Sequence, residues 1–119
     1  MTSSGKNIKN DMAFGFQSGE LDNIIDVISS FAEVEEAAIF GSRALGNFKN
    51  GSDVDLSLKG NIGKIYLNIS YILNEETLMP YKFDVLWYKE IRNLKLKEHI
   101  DKFGKAIYLR NKRQNNIKT

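Results

Sequence analysis

Two short strings constrain this chain most: Gly41-Ser42-Arg43, and then Ser52-Asp53-Val54-Asp55-Leu56. Ten residues separate Ser42 from Asp53. Apolar runs flank both strings: Val34 to Phe40 leads into the first, and Asp53 to Leu58 alternates polar with apolar residues. Read as strands, these runs set a glycine turn and a pair of carboxylates at strand ends, where the two can converge in space.

Each string has a chemistry. Glycine lets a backbone approach a ligand closely. A turn that opens a helix presents unpaired N–H groups that favour phosphate oxygens. The Ser42 hydroxyl and the Arg43 guanidinium can add hydrogen bonds. Alternate strand residues share a face, so Asp53 and Asp55 project together, about 6.6–6.8 Å apart along the chain. Such a pair suits hard divalent ions such as magnesium. A third carboxylate interrupts an apolar run at Phe83-Asp84-Val85. Burying it is expensive unless it is paired or coordinated. If that strand lies beside Asp53–Leu58, Asp84 completes a three-carboxylate site. Taken singly, Gly-Ser is a common turn, Asp-x-Asp a common solvated loop, and Asp84 a plausible edge-strand charge. Their order and their placement at strand ends make the combination far more specific. A phosphate grip followed closely by a metal grip is what transfer from a nucleoside triphosphate requires.

The rest of the chain reads as one α+β domain. Residues 1–17 read as a flexible leader, residues 18–109 as the domain and residues 110–119 as a basic tail. Ser18 caps a helix through Ile24 and Ile28 that ends near Phe31. Ile62 to Leu73 has helical spacing, and Asn74 to Pro80 reads as a loop. Lys82 to Tyr88 reads as a strand. Ile91 to Phe103 reads as a helix with Leu94, Leu96, Ile100 and Phe103 facing inward, stopped by Gly104. Ala106 to Leu109 reads as a short last strand. The expected architecture is a mixed β-sheet with packed helices.

Composition removes other classes. With 119 residues the chain buries roughly 65% of its unfolded surface, enough for one core. It has no cysteine and one histidine, which excludes disulfides, thiolate sites and a cysteine nucleophile, and all but excludes a multi-histidine zinc site. No apolar run approaches a membrane span, and a cytoplasmic setting is expected. His99 reads as surface packing, Trp87 and Tyr88 as core or interface residues, and Lys49 as a solvated loop lysine. Residues 1–101 carry a net charge of −4, and the six basic residues after Asp101 bring the chain to +2. That basic end reads as a solvated terminus, a poor argument for nucleic acid.

The order of these residues resembles the DNA polymerase beta-like nucleotidyltransferase superfamily, and most closely its minimal bacterial and archaeal members. The resemblance rests on Ile39-Phe40-Gly41-Ser42-Arg43-Ala44, Gly51-Ser52-Asp53-Val54-Asp55-Leu56-Ser57, Lys82-Phe83-Asp84-Val85, and the run from Lys97 to Tyr108. It spans about residues 12 to 109. Met12 sits where many such proteins begin, which sets residues 1–11 apart as an extension. Leu45 departs from the pattern, since members often carry a second basic residue there.

The resemblance implies a polymerase beta-like fold and transfer of a nucleoside monophosphate, AMP from ATP, to a hydroxyl acceptor. It implies that Gly41, Ser42 and Arg43 hold the triphosphate. Asp53, Asp55 and Asp84 would bind two magnesium ions, with Asp84 also helping to activate the attacking hydroxyl. Minimal members are often paired with a small helical HEPN-domain protein in toxin–antitoxin systems, where the nucleotidyltransferase adenylylates a tyrosine of its partner. A chain this short has no room for an acceptor domain, so another protein or another subunit must supply that surface. A non-catalytic antitoxin, or transfer to a small molecule such as an aminoglycoside, are the competing readings.

Overall fold

The computed structural model describes residues 11–110. The expectations for residues 1–10 and 111–119 lie outside the described residues. In chain order the elements are α1 (Glu20–Ser29), β1 (Val34–Phe40), the single turn α2 (Ser42–Leu45), β2 (Val54–Gly60) and α3 (Ile65–Tyr71). A π turn (Ile72–Glu76) continues α3. Then come β3 (Phe83–Trp87), a 3-10 turn (Tyr88–Glu90), α4 (Leu94–Phe103) and β4 (Lys105–Leu109).

The strands form one sheet in the order β3-β2-β1-β4. β1 pairs antiparallel with both β2 and β4, and β2 pairs parallel with β3. The sheet is therefore mixed, as the sequence pattern requires. Its two faces differ. Val54, Leu56 and Leu58 are fully buried on one face, opposite Ala37 and Ile39 of β1 and Phe83 and Val85 of β3. Leu21, Ile24 and Ile28 of α1 and Ile69 of α3 join them in the core. Asp55, Ser57 and Lys59 point to the other face, which α4 partly covers through Ile100. Packing apolar residues on one face thus fixes which side chains the other face presents.

Several boundaries differ from the sequence reading. α1 starts at Glu20 behind Gly19, not behind Ser18. Its cap comes from a distance: Gly19 N–H donates to Asp11 Oδ2 and Leu21 N–H to Asp11 Oδ1, both at 2.8 Å. Asp11, Phe14 and Phe16 are buried. Residues 11–17 therefore belong to the fold rather than to a leader, because a carboxylate and two rings from this segment complete the core and the helix start.

The expected loop after α3 begins with the π turn. Its wider winding lets the Asn74 side chain reach β3, where Phe83 N–H donates to Oδ1 at 2.8 Å and Nδ2 donates to Phe83 O at 2.9 Å. α4 starts three residues later than expected, since Asn93 Oδ1 caps it by accepting from Leu96 N–H. Leu94 is 74% exposed and Phe103 is 39% exposed, so neither is a core residue. Leu94 lies about 200° around the helix from Leu96, which turns it to solvent.

Candidate active site

Parallel pairing of β2 with β3 sets Asp55 directly opposite Asp84 in register. Both project from the face that the core does not use. Asp53 stands just before β2, after the Asn50-Gly51 turn, and is exposed. Asp84 is also exposed, on an edge strand, and Asp55 is half-buried. Among the described residues, none of the three carboxylates accepts a hydrogen bond or forms an ion pair.

Burial, then repulsion from Asp84 and from Asp53, pushes the Asp55 carboxyl up from 3.8 to about 6, against the attraction of the Arg43 guanidinium. Three unpaired carboxylates on one face are the oxygen donor set that a hard divalent cation takes. Among the described residues, no three acidic or histidine side chains are gathered as a ligand set for an ion. The carboxylate oxygens are donors of the kind magnesium takes, but the three side chains stand as separate carboxylates.

The glycine turn lies against this group. β1 ends at Phe40, which pairs with Asp55, so Gly41 follows beside the carboxylate. A methyl group at Gly41 would overlap Asp55 Oδ2. Gly41 also has φ 77° and ψ −152°, a conformation that favours glycine. Ala44 and Leu45 N–H donate to Gly41 O at 3.1 Å each. The N–H groups of Ser42 and Arg43 have no acceptor among the described residues, and Ser42 is partly exposed.

Arg43 corrects an expectation. Its side chain is 2% exposed, and its guanidinium is turned inward rather than toward the phosphate side. Nη1 donates to Phe14 O at 2.8 Å, and Nη2 donates to Ser52 O at 2.7 Å. The rings of Tyr81, Phe16 and Phe48 surround it, with centroids 4.8, 5.3 and 5.5 Å away. It ties the first string to the backbone just before Asp53, so its work is to set the distance between the two strings. Its backbone N–H, unlike its side chain, has no acceptor among the described residues.

His99 is the residue that the sequence reading missed. Gly41 N–H donates to His99 Nε2 at 3.0 Å, and the ring stands edge-on to Phe40 and beside Phe103. A signal was present: Leu96, His99, Ile100 and Phe103 have the spacing of one helix face, so His99 shares the stripe that meets the sheet.

Comparison with protein families matches residues 22–113 to the family model described as "Polymerase beta, Nucleotidyltransferase". Comparison with curated proteins gives no match. Among solved structures, the fold is similar to that of a toxin–antitoxin with AMP-PNP, at TM-score 0.64 and 14% identity, over 81% of this chain and 78% of that one. A mutant of the toxin–antitoxin MntA-HpeT gives TM-score 0.61 and 11% identity over the same shares. A third is the tri-AMPylated Shewanella oneidensis HEPN toxin in complex with MNT antitoxin, with TM-score 0.50 and 11% identity, over 82% of this chain and 75% of that one. The chain belongs to the polymerase beta nucleotidyltransferase family.

Proposed function

We propose that this member of the polymerase beta nucleotidyltransferase family transfers AMP from ATP to a hydroxyl group on a small helical HEPN-domain partner. One observation carries the reading: Asp55 and Asp84 stand opposite each other in register, with the Gly41 turn pressed against Asp55. A turn alone, or a binding module alone, has no need of the second carboxylate.

The Ser42 and Arg43 N–H groups and the Ser42 hydroxyl would hold the triphosphate. Asp53, Asp55 and Asp84 would hold two magnesium ions. When bound, the ions supply charge neutralisation at the attacking and leaving oxygens. Asp84, exposed at the sheet edge, is open to an incoming hydroxyl and would help to remove its proton. The acceptor oxygen bonds to the α-phosphorus as the bond to the pyrophosphate oxygen breaks. Orientation of that hydroxyl must come from a docked acceptor, because the attack is in line and proximity supplies much of the rate. The likeness of the fold to MNT–HEPN complexes, one of them described as tri-AMPylated, supports a HEPN protein as that acceptor.

The test is intact-mass spectrometry of the chain mixed with ATP, magnesium and whatever HEPN-domain protein its source is found to encode. The expected result is a partner heavier by one or more AMP units. Asp84→Asn should keep the complex and stop the modification. A partner that binds, stays unmodified and is neutralised equally well by Asp84→Asn would support a contact-only antitoxin instead.

A further inference from the structure

We infer that His99 is a positioning residue that holds the Gly41 amide, so that the turn presents only the Ser42 and Arg43 amides to a triphosphate. The inference rests on the proposed nucleotidyl transfer, because it assigns part of that same site.

Gly41 is the weakest point of the turn. Glycine has more backbone freedom than any other residue, and φ 77° with ψ −152° is one of several conformations open to it. An ordered turn therefore needs both of its polar groups anchored. The carbonyl is anchored locally by Ala44 and Leu45 N–H. The amide is anchored by His99 Nε2, 58 residues away in sequence. Accepting at Nε2 requires the neutral ring with its proton on Nδ1. Phe40 and Phe103 flank the imidazole, with ring centroids 6.1 and 5.4 Å away, and set its plane. Ile100, the next residue, is buried under α4 and fixes the helix against the sheet.

Two consequences follow for the turn. The Gly41 N–H is withdrawn from any incoming ligand, since it already has an acceptor. The Phe40–Gly41 peptide is held against rotation, and the two following amides then keep one direction before a ligand arrives. Preorganisation of this kind improves binding by reducing the ordering cost.

The experiment compares His99→Ala, His99→Asn and His99→Gln in the full chain. Glutamine can place an acceptor where Nε2 stands, whereas asparagine is too short. Three readouts are taken: affinity for a non-hydrolysable ATP analogue with magnesium, hydrogen exchange at the Gly41 amide by NMR, and melting temperature. His99→Ala and His99→Asn should each weaken analogue binding about tenfold, as one lost hydrogen bond does. Both should also speed Gly41 exchange. His99→Gln should stay within about twofold of the parent chain in affinity, the scatter of a retained hydrogen bond. Unchanged affinity in His99→Ala, or equal losses in all three variants in step with melting temperature, would overturn the inference. A parent chain that binds the analogue but transfers nothing to its partner defeats the transfer reading and leaves these readouts to judge His99. A parent chain that binds no triphosphate overturns both.

Discussion

The guanidinium of Arg43 reaches the backbone of Ser52: Nη2 lies 2.7 Å from the Ser52 carbonyl oxygen and Nε lies 3.3 Å from it. A buried cation is thereby used as a spacer between the turn and the first carboxylate. Arg43→Lys keeps the charge but cannot span Phe14 O and Ser52 O together while stacking on three rings. The expected loss is about 2–3 kcal/mol of stability, the scale of charged hydrogen bonds removed from a buried site. Urea denaturation measures it, and a loss under about 0.5 kcal/mol, the size of an ordinary surface change, would contradict the spacer role.

The Asp55 carboxyl gives a pH dependence with a definite sign. Its value in the folded chain, about 6, lies above the ordinary 3.8, so the folded state binds the proton more readily. Ionised Asp55 therefore costs stability above about pH 6, and the cost is relieved progressively between about pH 6 and 4 as the carboxyl takes a proton. In chelator, melting temperature should be higher for Asp55→Asn than for the parent chain at pH 8, and the difference should shrink toward pH 4. Partial exposure keeps the gain near about 1 kcal/mol. Magnesium should raise the melting temperature of the parent and have little effect on Asp55→Asn. An Asp55→Asn variant that melts lower than the parent at pH 8 would show that the carboxylate is stabilised rather than repelled.

Gly41→Ala meets two obstacles: a positive φ and a methyl group that overlaps the Asp55 carboxylate. Transfer is expected to fall at least about a hundredfold, in line with a displaced catalytic group. Circular dichroism should still show the sheet. Full transfer activity in Gly41→Ala would place the nucleotide elsewhere.

Asp11→Ala removes two hydrogen bonds from the start of α1. The cost expected for such a cap is about 1–2 kcal/mol. A thermal melt of the full chain measures it. Stability equal to the parent would mean that solvent replaces the carboxylate without loss.

The sequence made Asp53, Asp55, Asp84 and the glycine turn legible because their chemistry is written in neighbouring residues and in strand alternation. Apolar patterning set the face, since Val54, Leu56, Phe83 and Val85 share the buried side, but the parallel register that pairs Asp55 with Asp84 came only from the structure. Asp11, Arg43 and His99 were harder. Arg43 and His99 earn their roles through partners far along the chain, Arg43 through Phe14 and His99 through Gly41 across 58 positions, while Asp11 caps a helix that begins eight to ten residues on. A lone arginine beside a glycine turn reads as a phosphate ligand until Phe16, Phe48 and Tyr81 are seen around it. Residues 11–17 read as a leader because residues 1–17 taken together are polar and glycine-containing, while the buried contacts of 11–17 rest on only three side chains, Asp11, Phe14 and Phe16.

The Asn74 side chain imitates a strand. By accepting from Phe83 N–H and donating to Phe83 O, it occupies the outward-facing backbone groups at the start of β3, immediately before Asp84. An added chain could not pair with that position without first displacing the amide. Edge-to-edge association through the β3 margin, beside the carboxylates, is discouraged there, and β4, the opposite margin, becomes the more open place for backbone pairing between proteins. Any protein that approached this margin would meet the carboxylates through its side chains before it could extend the sheet beside them.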